Sequence, residues 1–139
     1  MTARRDESGA ITLWMLGLCV VLLFLGGLSI DLWRAFGARR ELAGQVDSAA
    51  IAGASAIDEE RFRATGEVAL DPRLAAAAAC AYLAELERPV GCDGIAATPE
   101  AIEVRATRQV AFTFIKVLLP DQGPVTVDVT ARVEQRPRP

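Results

Sequence analysis

Histidine is absent from the 139 residues. That excludes His-based triads, most imidazole metal sites and the commonest general base. Lysine occurs once, as Lys116, beside fourteen arginines, so a Schiff base or a phosphate-binding lysine has a single candidate. No G-x-x-x-x-G-K-S/T or G-x-G-x-x-G run is present to cradle a phosphate. A net charge of −3 argues against a nucleic-acid partner. Charge is missing altogether from one long stretch, Ala10–Ile30, and that absence decides the class of protein.

Ala10–Ile30 reads AITLWMLGLCVVLLFLGGLSI. As an α-helix it spans roughly 31 Å, close to the ~30 Å hydrocarbon core of a bilayer. Twelve of its residues are Leu, Ile, Val or Phe, and each favours insertion. Trp14 and Trp33 lie about 28 Å apart along the axis and suit the two interfacial belts. A 139-residue chain has too little remaining mass to cover every face of such a helix as a soluble core. The apolar run exceeds a secretory signal's core, and no clean A-x-A site follows it. An uncleaved membrane anchor is expected.

Orientation draws on two opposed signals. Arg4 and Arg5 precede the span, while Arg34, Arg39 and Arg40 follow it, which slightly favours a cytoplasmic C-terminal side. Cys80 and Cys92, the only cysteines outside the span, favour an oxidising compartment and a mutual disulfide, with Cys19 left free. A bridge closing that thirteen-residue loop contributes ~3 kcal/mol on the chain-entropy model. The cysteines and the resemblance described below place the N-terminus in the cytoplasm and the C-terminal domain outside, in the inner or plasma membrane.

Residues 31–57 continue the helical pattern without a proline. Leu42, Val46, Ala49, Ala50, Gly53 and Ile57 form a weakly apolar stripe opposite Arg39, Arg40, Glu41, Gln45 and Asp47. With Ala54, the small residues suit close helix packing; an alanine-rich helix of good propensity is the plainer reading. Asp58 to Gly66 looks like an exposed break. Asp71-Pro72 supplies an N-cap and a first-turn proline for a helix over Leu74–Glu87, which Pro89 and Gly91 stop. From Ala101 the period becomes two. Ile102, Val104 and Ala106 alternate with polar residues, as do Val125, Val127, Val129, Ala131 and Val133. Val110–Leu119 fits either a third strand or a short helix, and Asp121–Pro124 is a turn.

Five segments follow: a cytoplasmic flank (1–9), a transmembrane helix (10–30), its continuation (31–57), a small extracytoplasmic α+β domain (58–134) and a disordered tail (135–139). Glu85 with Glu87, and Asp58 to Glu60, are the only carboxylate clusters available to an anchored enzyme. Neither has a nucleophile or metal-ligand cluster beside it, so no enzyme, cofactor or small-molecule substrate is expected.

The N-terminal third resembles the TadE/TadG-like proteins of Flp (tight adherence) pilus assembly. The resemblance runs from Arg5-Asp6-Glu7-Ser8-Gly9-Ala10 through the span to Asp31-Leu32-Trp33-Arg34. It continues through Ala38-Arg39-Arg40-Glu41-Leu42 to Asp47-Ser48-Ala49-Ala50-Ile51-Ala52-Gly53-Ala54. Val125–Ala131 is similar to the strand that ends many members. Prepilin-like members are cut after a glycine and carry glutamate five residues on. Here Trp14 stands five residues after Gly9, which implies the uncleaved TadG-like branch.

The resemblance implies a pilin-like α+β fold: one long N-terminal helix, a second helix and a small antiparallel sheet. It implies a pseudopilin-like accessory protein acting by helix packing, with membrane lipid and other Tad/Flp pilus or platform proteins as partners. Asp31, Arg34 and Arg39 then form a membrane-exit motif; three positions apart, Asp31 and Arg34 either pair or stand as two solvated interfacial charges. A generic single-pass scaffold or sensor with a small outer domain is the alternative.

Overall fold

The second half of the long apolar helix is where the rest of the chain collects. In a computed structural model that describes residues 7–121 and 123–135, α1 runs unbroken over Glu7–Ala54. It starts inside the expected flank, and residues 1–6 lie outside the described set. Its two halves differ in surroundings. Trp14, Leu23 and Leu13 are among a long series of exposed apolar side chains, whereas Leu42, Val46, Ala49 and Ala50 are wholly buried. The buried residues recur every three to four positions, so they share one face.

After Ala54 the chain leaves the helix three residues earlier than the sequence pattern suggested. Ile57 forms an isolated bridge with Leu70, which requires extended backbone. The neck is closed by Asp58 N–H donating to Ala69 O (2.9 Å) and Asp71 N–H to Ala56 O (3.0 Å). Between these, the expected break is a short helix, α2 (Glu59–Thr65). Asp58 caps it by accepting from Arg61 N–H at 2.9 Å, and Gly66 ends it in the left-handed region at φ 72°, where glycine carries no Cβ penalty. No residue of α2 is buried, so its caps do what core packing does elsewhere.

Helix α3 (Pro72–Ala84) starts as the sequence indicated, with Asp71 accepting from Arg73 and Leu74 N–H. It stops short of Glu87 because the chain turns back: Glu85 N–H donates to Ala81 O and Val90 N–H to Leu83 O. That turn brings Cys92 to Cys80, and the two form a disulfide with Cα atoms 5.3 Å apart. Cys19 is free and exposed on α1.

The remaining elements are β1 (Ile95–Ala97), β2 (Ala101–Val110), α4 (Phe114–Leu118) and β3 (Val125–Glu134). The strands form one antiparallel sheet in the order β1-β2-β3. Strand β1 was absent from the sequence reading. The ambiguous Val110–Leu119 stretch divides, ending β2 and then forming α4. Register sets Ile102 opposite Val133, Val104 opposite Ala131 and Ala106 opposite Val129, so the apolar alternates of both long strands share a face. Helices α1 and α3 pack on each other and on the sheet. Their shared core holds Leu42, Val46, Leu70, Leu83, Ile102 and Val104. The fold is α+β. Gln135, placed in the expected tail, is bound: its side-chain amide donates to Ala54 O (3.0 Å) and its N–H to Glu100 O (2.8 Å). Residues 136–139 lie outside the described set.

The small-residue stripe is spent inside this core. A Cβ built at Gly53 would run into Ile102 Cδ1 and stand 2.8 Å from Ala75 O and 3.3 Å from Ala79 Cβ. Ala49, Ala50 and Gly53 therefore set how closely α3 and β2 approach α1, and this face is not open to a partner. Replacing Gly53 with leucine should destabilise the chain by at least ~1–3 kcal/mol through overpacking, read as a lower unfolding midpoint in detergent. Thiol labelling of denatured, unreduced protein should modify one cysteine, Cys19; three labelled thiols would contradict the bridge.

Candidate functional site around Asp31

Asp31 ends the uncharged run of α1, and it is wholly buried although residues 28–30 and 32–34 on either side of it are exposed. The covering comes from α4. Asp31 Oδ1 accepts from Thr113 N–H (3.1 Å), and Oδ2 accepts from Phe114 N–H (2.7 Å) and Ile115 N–H (2.9 Å). These are first-turn amides that a helix leaves without internal partners. Thr113, at the N-cap position, makes no side-chain cap of its own. A carboxylate from 82 positions earlier in the chain supplies it.

A five-residue helix has too few internal hydrogen bonds to stand alone, and a carboxylate at its N-terminus is also favoured by the peptide dipoles. Two further contacts fix α4 in place. Arg34 Nη1 donates to Thr113 Oγ1 at 3.1 Å. The Phe114 ring lies directly over Gly27, where any Cβ would collide with it. The Asp31–Arg34 pair that their spacing allowed is therefore replaced, since Asp31 binds amides and Arg34 binds Thr113. Arg39 is exposed on the next turn, and Trp14 and Trp33 project from α1 into open space.

Desolvation pushes the Asp31 carboxyl upward, but the N–H groups of Ile115, Thr113 and Phe114 and the charge of Arg34 outweigh it. The net result lies below the ordinary value. The carboxylate is thus the form that the fold uses. Its contribution is complete above the ordinary carboxylate range and is lost as pH falls through the lowered value.

A second polar clasp was missed in the sequence. Arg108 follows Ile102, Val104 and Ala106 in the same period of two, which puts a cation on the inner face of β2. Its guanidinium reaches Glu41 (3.1 Å) and Gln45 (2.8 Å) on α1 and is only 13% exposed. The parity of position 108 was the available signal. The carboxylate clusters have structural or solvated roles: Asp58 caps α2, Glu59 pairs with Arg63, and Glu85 and Glu87 are exposed. Among the described residues no group of three His, Cys, Asp or Glu side chains is placed to hold a metal.

Among the described residues one helix, α1, is long and apolar enough to cross a membrane. Residues 9–56 match the family described as putative Flp pilus-assembly TadE/G-like. The similarity covers about a third of the chain. The match does not separate a TadE-like from a TadG-like branch. No curated protein and no solved structure matches the chain. The matched segment covers α1 from its third residue and the two residues after it, so it contains Asp31, Arg34, Arg39 and the small-residue stripe. The groups that Asp31 binds, and the Cys80–Cys92 bridge, lie outside it.

Removing the carboxylate should free α4 selectively. In Asp31→Ala, amide exchange at Thr113–Ile115 should speed about tenfold or more, since hydrogen bonds to charged groups are among the stronger ones, while α3 stays protected. In the unsubstituted protein the same amides should stay protected at pH 5 and loosen as pH drops below about 4.

Proposed function

We propose that the chain is a single-pass, membrane-anchored, pseudopilin-like accessory protein of a Tad/Flp pilus assembly or a related secretion system. It works by helix packing and without catalysis. The observation that carries this reading is the divided surface of α1 in the segment matched to the TadE/G-like family. One continuous helix is apolar and exposed over its first half and built into a folded α+β body over its second.

The apolar half suits a bilayer by length and composition, with Trp14 and Trp33 at interfacial depths. Because the stripe of the second half is filled by α3 and the sheet, contacts with other pilus or platform proteins fall to the exposed half of α1 and to the outer surfaces of the folded body. The N-terminus lies in the cytoplasm, and residues from about 35 onward lie outside, where an oxidising compartment maintains Cys80–Cys92. Trp14, where prepilin-like members carry glutamate, supports the TadG-like branch with Gly9-Ala10 uncleaved. The charged residues before Gly9 then resist withdrawal of the helix from the membrane, which places the protein at the assembly platform and not in the fibre.

Two measurements test this reading. Alkaline phosphatase fused after Pro139 should be active in cells, and activity confined to a cytoplasmic reporter would reverse the topology. Intact mass of the purified protein should show the residues before Ala10 retained; a species beginning at Ala10 would assign it to the processed branch.

A further inference from the structure

We propose that α4 is a second membrane-contacting element: a short interfacial helix whose apolar side, with the groove it forms against α1, is filled by lipid acyl chains. The inference rests on the reading of α1 as a membrane span. It concerns the leaflet on the side of the folded body and holds for either orientation.

Depth is the first argument. Phe114 packs on Gly27, and the groove beside it is lined by Phe24, Leu25, Leu28, Phe114, Ile115 and Leu119. Counting back from Ile30 at the end of the apolar run, Gly27 is roughly 4.5 Å and Phe24 roughly 9 Å inside it, at 1.5 Å per residue. Interfacial helices sit with their apolar faces about 5–10 Å into the boundary between headgroups and acyl chains. The clasp on Asp31 holds α4 at this depth, because Thr113, Phe114 and Ile115 cannot move along α1 without losing their acceptor.

The second argument is composition. Val117 is 74% exposed and Phe114 40% on a helix of five residues, and its C-cap Leu119 is 53% exposed. Lys116, the one lysine of the chain, stands two positions from Phe114, about 200° around the helix. That is the polar side of a short amphipathic helix, where a lysine reaches the headgroups while its stem covers apolar surface. The groove holds about 380 Å³ and is continuous with the exposed apolar surface of α1. The solvent of that surface in a bilayer is the acyl chain, and a groove opening onto it takes the same occupant.

Depth-dependent quenching tests this on the full chain in vesicles of phosphatidylethanolamine and phosphatidylglycerol. In a Cys19→Ala background, with Cys80–Cys92 oxidised, a fluorophore is attached at Val117→Cys, at Leu22→Cys in the span, or at Glu60→Cys on α2. All three positions are exposed, so the substitutions leave the core alone. The probe at Val117 should be quenched several-fold more strongly by a shallow nitroxide lipid than by aqueous iodide, with Leu22 lipid-quenched and Glu60 iodide-quenched. Iodide quenching at Val117 with lipid quenching at Leu22 would overturn the inference and leave the span standing. Shielding of Val117 from both quenchers would mean that a protein surface, such as a second copy, covers α4, and would also overturn it. Iodide quenching at both positions would remove the span and the inference together.

Discussion

The carboxylate of Asp31 joins two parts of the chain that lie more than eighty positions apart, with Arg34 and Gly27 beside it completing the contact. On one side is the point where α1 changes from an apolar helix to an amphipathic one. On the other is a five-residue helix in the β2–β3 connection, too short to persist by itself. Three amide donors satisfy a buried charge that would otherwise be costly, and the same donors lose the need for water at an exposed helix start. Each side removes the other's unsatisfied group. The arrangement also ties the folded body to the apolar half of α1, because α4 lies in the connection between the two long strands of the sheet.

Above that point, packing is governed by small residues. Ala49, Ala50 and Gly53 let α3 and β2 come close to α1, so a core with few large side chains still excludes water. Two polar ties flank it: Arg108 with Glu41 and Gln45 at the end near α4, and Gln135 with the Ala54 carbonyl of α1 at the other. The disulfide serves the opposite edge, fixing the turn after α3 that leads into β1. The core therefore depends on α1 as one of its layers, and the body and the long helix fold as one unit.

How legible this was in the sequence depended on whether a residue's partner was local. The long helix, the Asp71-Pro72 start of α3 and the alternation in β2 and β3 depend on neighbours a few positions away, and all could be read directly. The bridge between Cys80 and Cys92 was legible because only two cysteines lay outside the apolar run. Strand β1 has three residues, too few to show a period, and it exists because β2 offers it an edge. Helix α2 looked like a break because it buries nothing and is held by its two caps. The role of Asp31 was the least legible, since its partners are backbone amides 82 to 84 positions away. Backbone amides carry no sequence signature. The spacing to Arg34 suggested a pair, and tertiary geometry gave both residues other work.

A helix of 48 residues with no proline and no break is about 72 Å of stiff rod at 1.5 Å per residue. Its second half is built into the folded body, and no joint separates that half from the apolar one proposed to lie in lipid. A push along the rod by one helical turn, about 5.4 Å, would carry Asp31 and the whole of α4 toward the hydrocarbon, and a pull would drag Phe24 and Leu28 toward water. With the apolar half in a bilayer, as proposed, both displacements would cost free energy and so favour one height for the folded body. In that proposed setting, turning the folded body turns the apolar half with it, because both belong to one continuous helix.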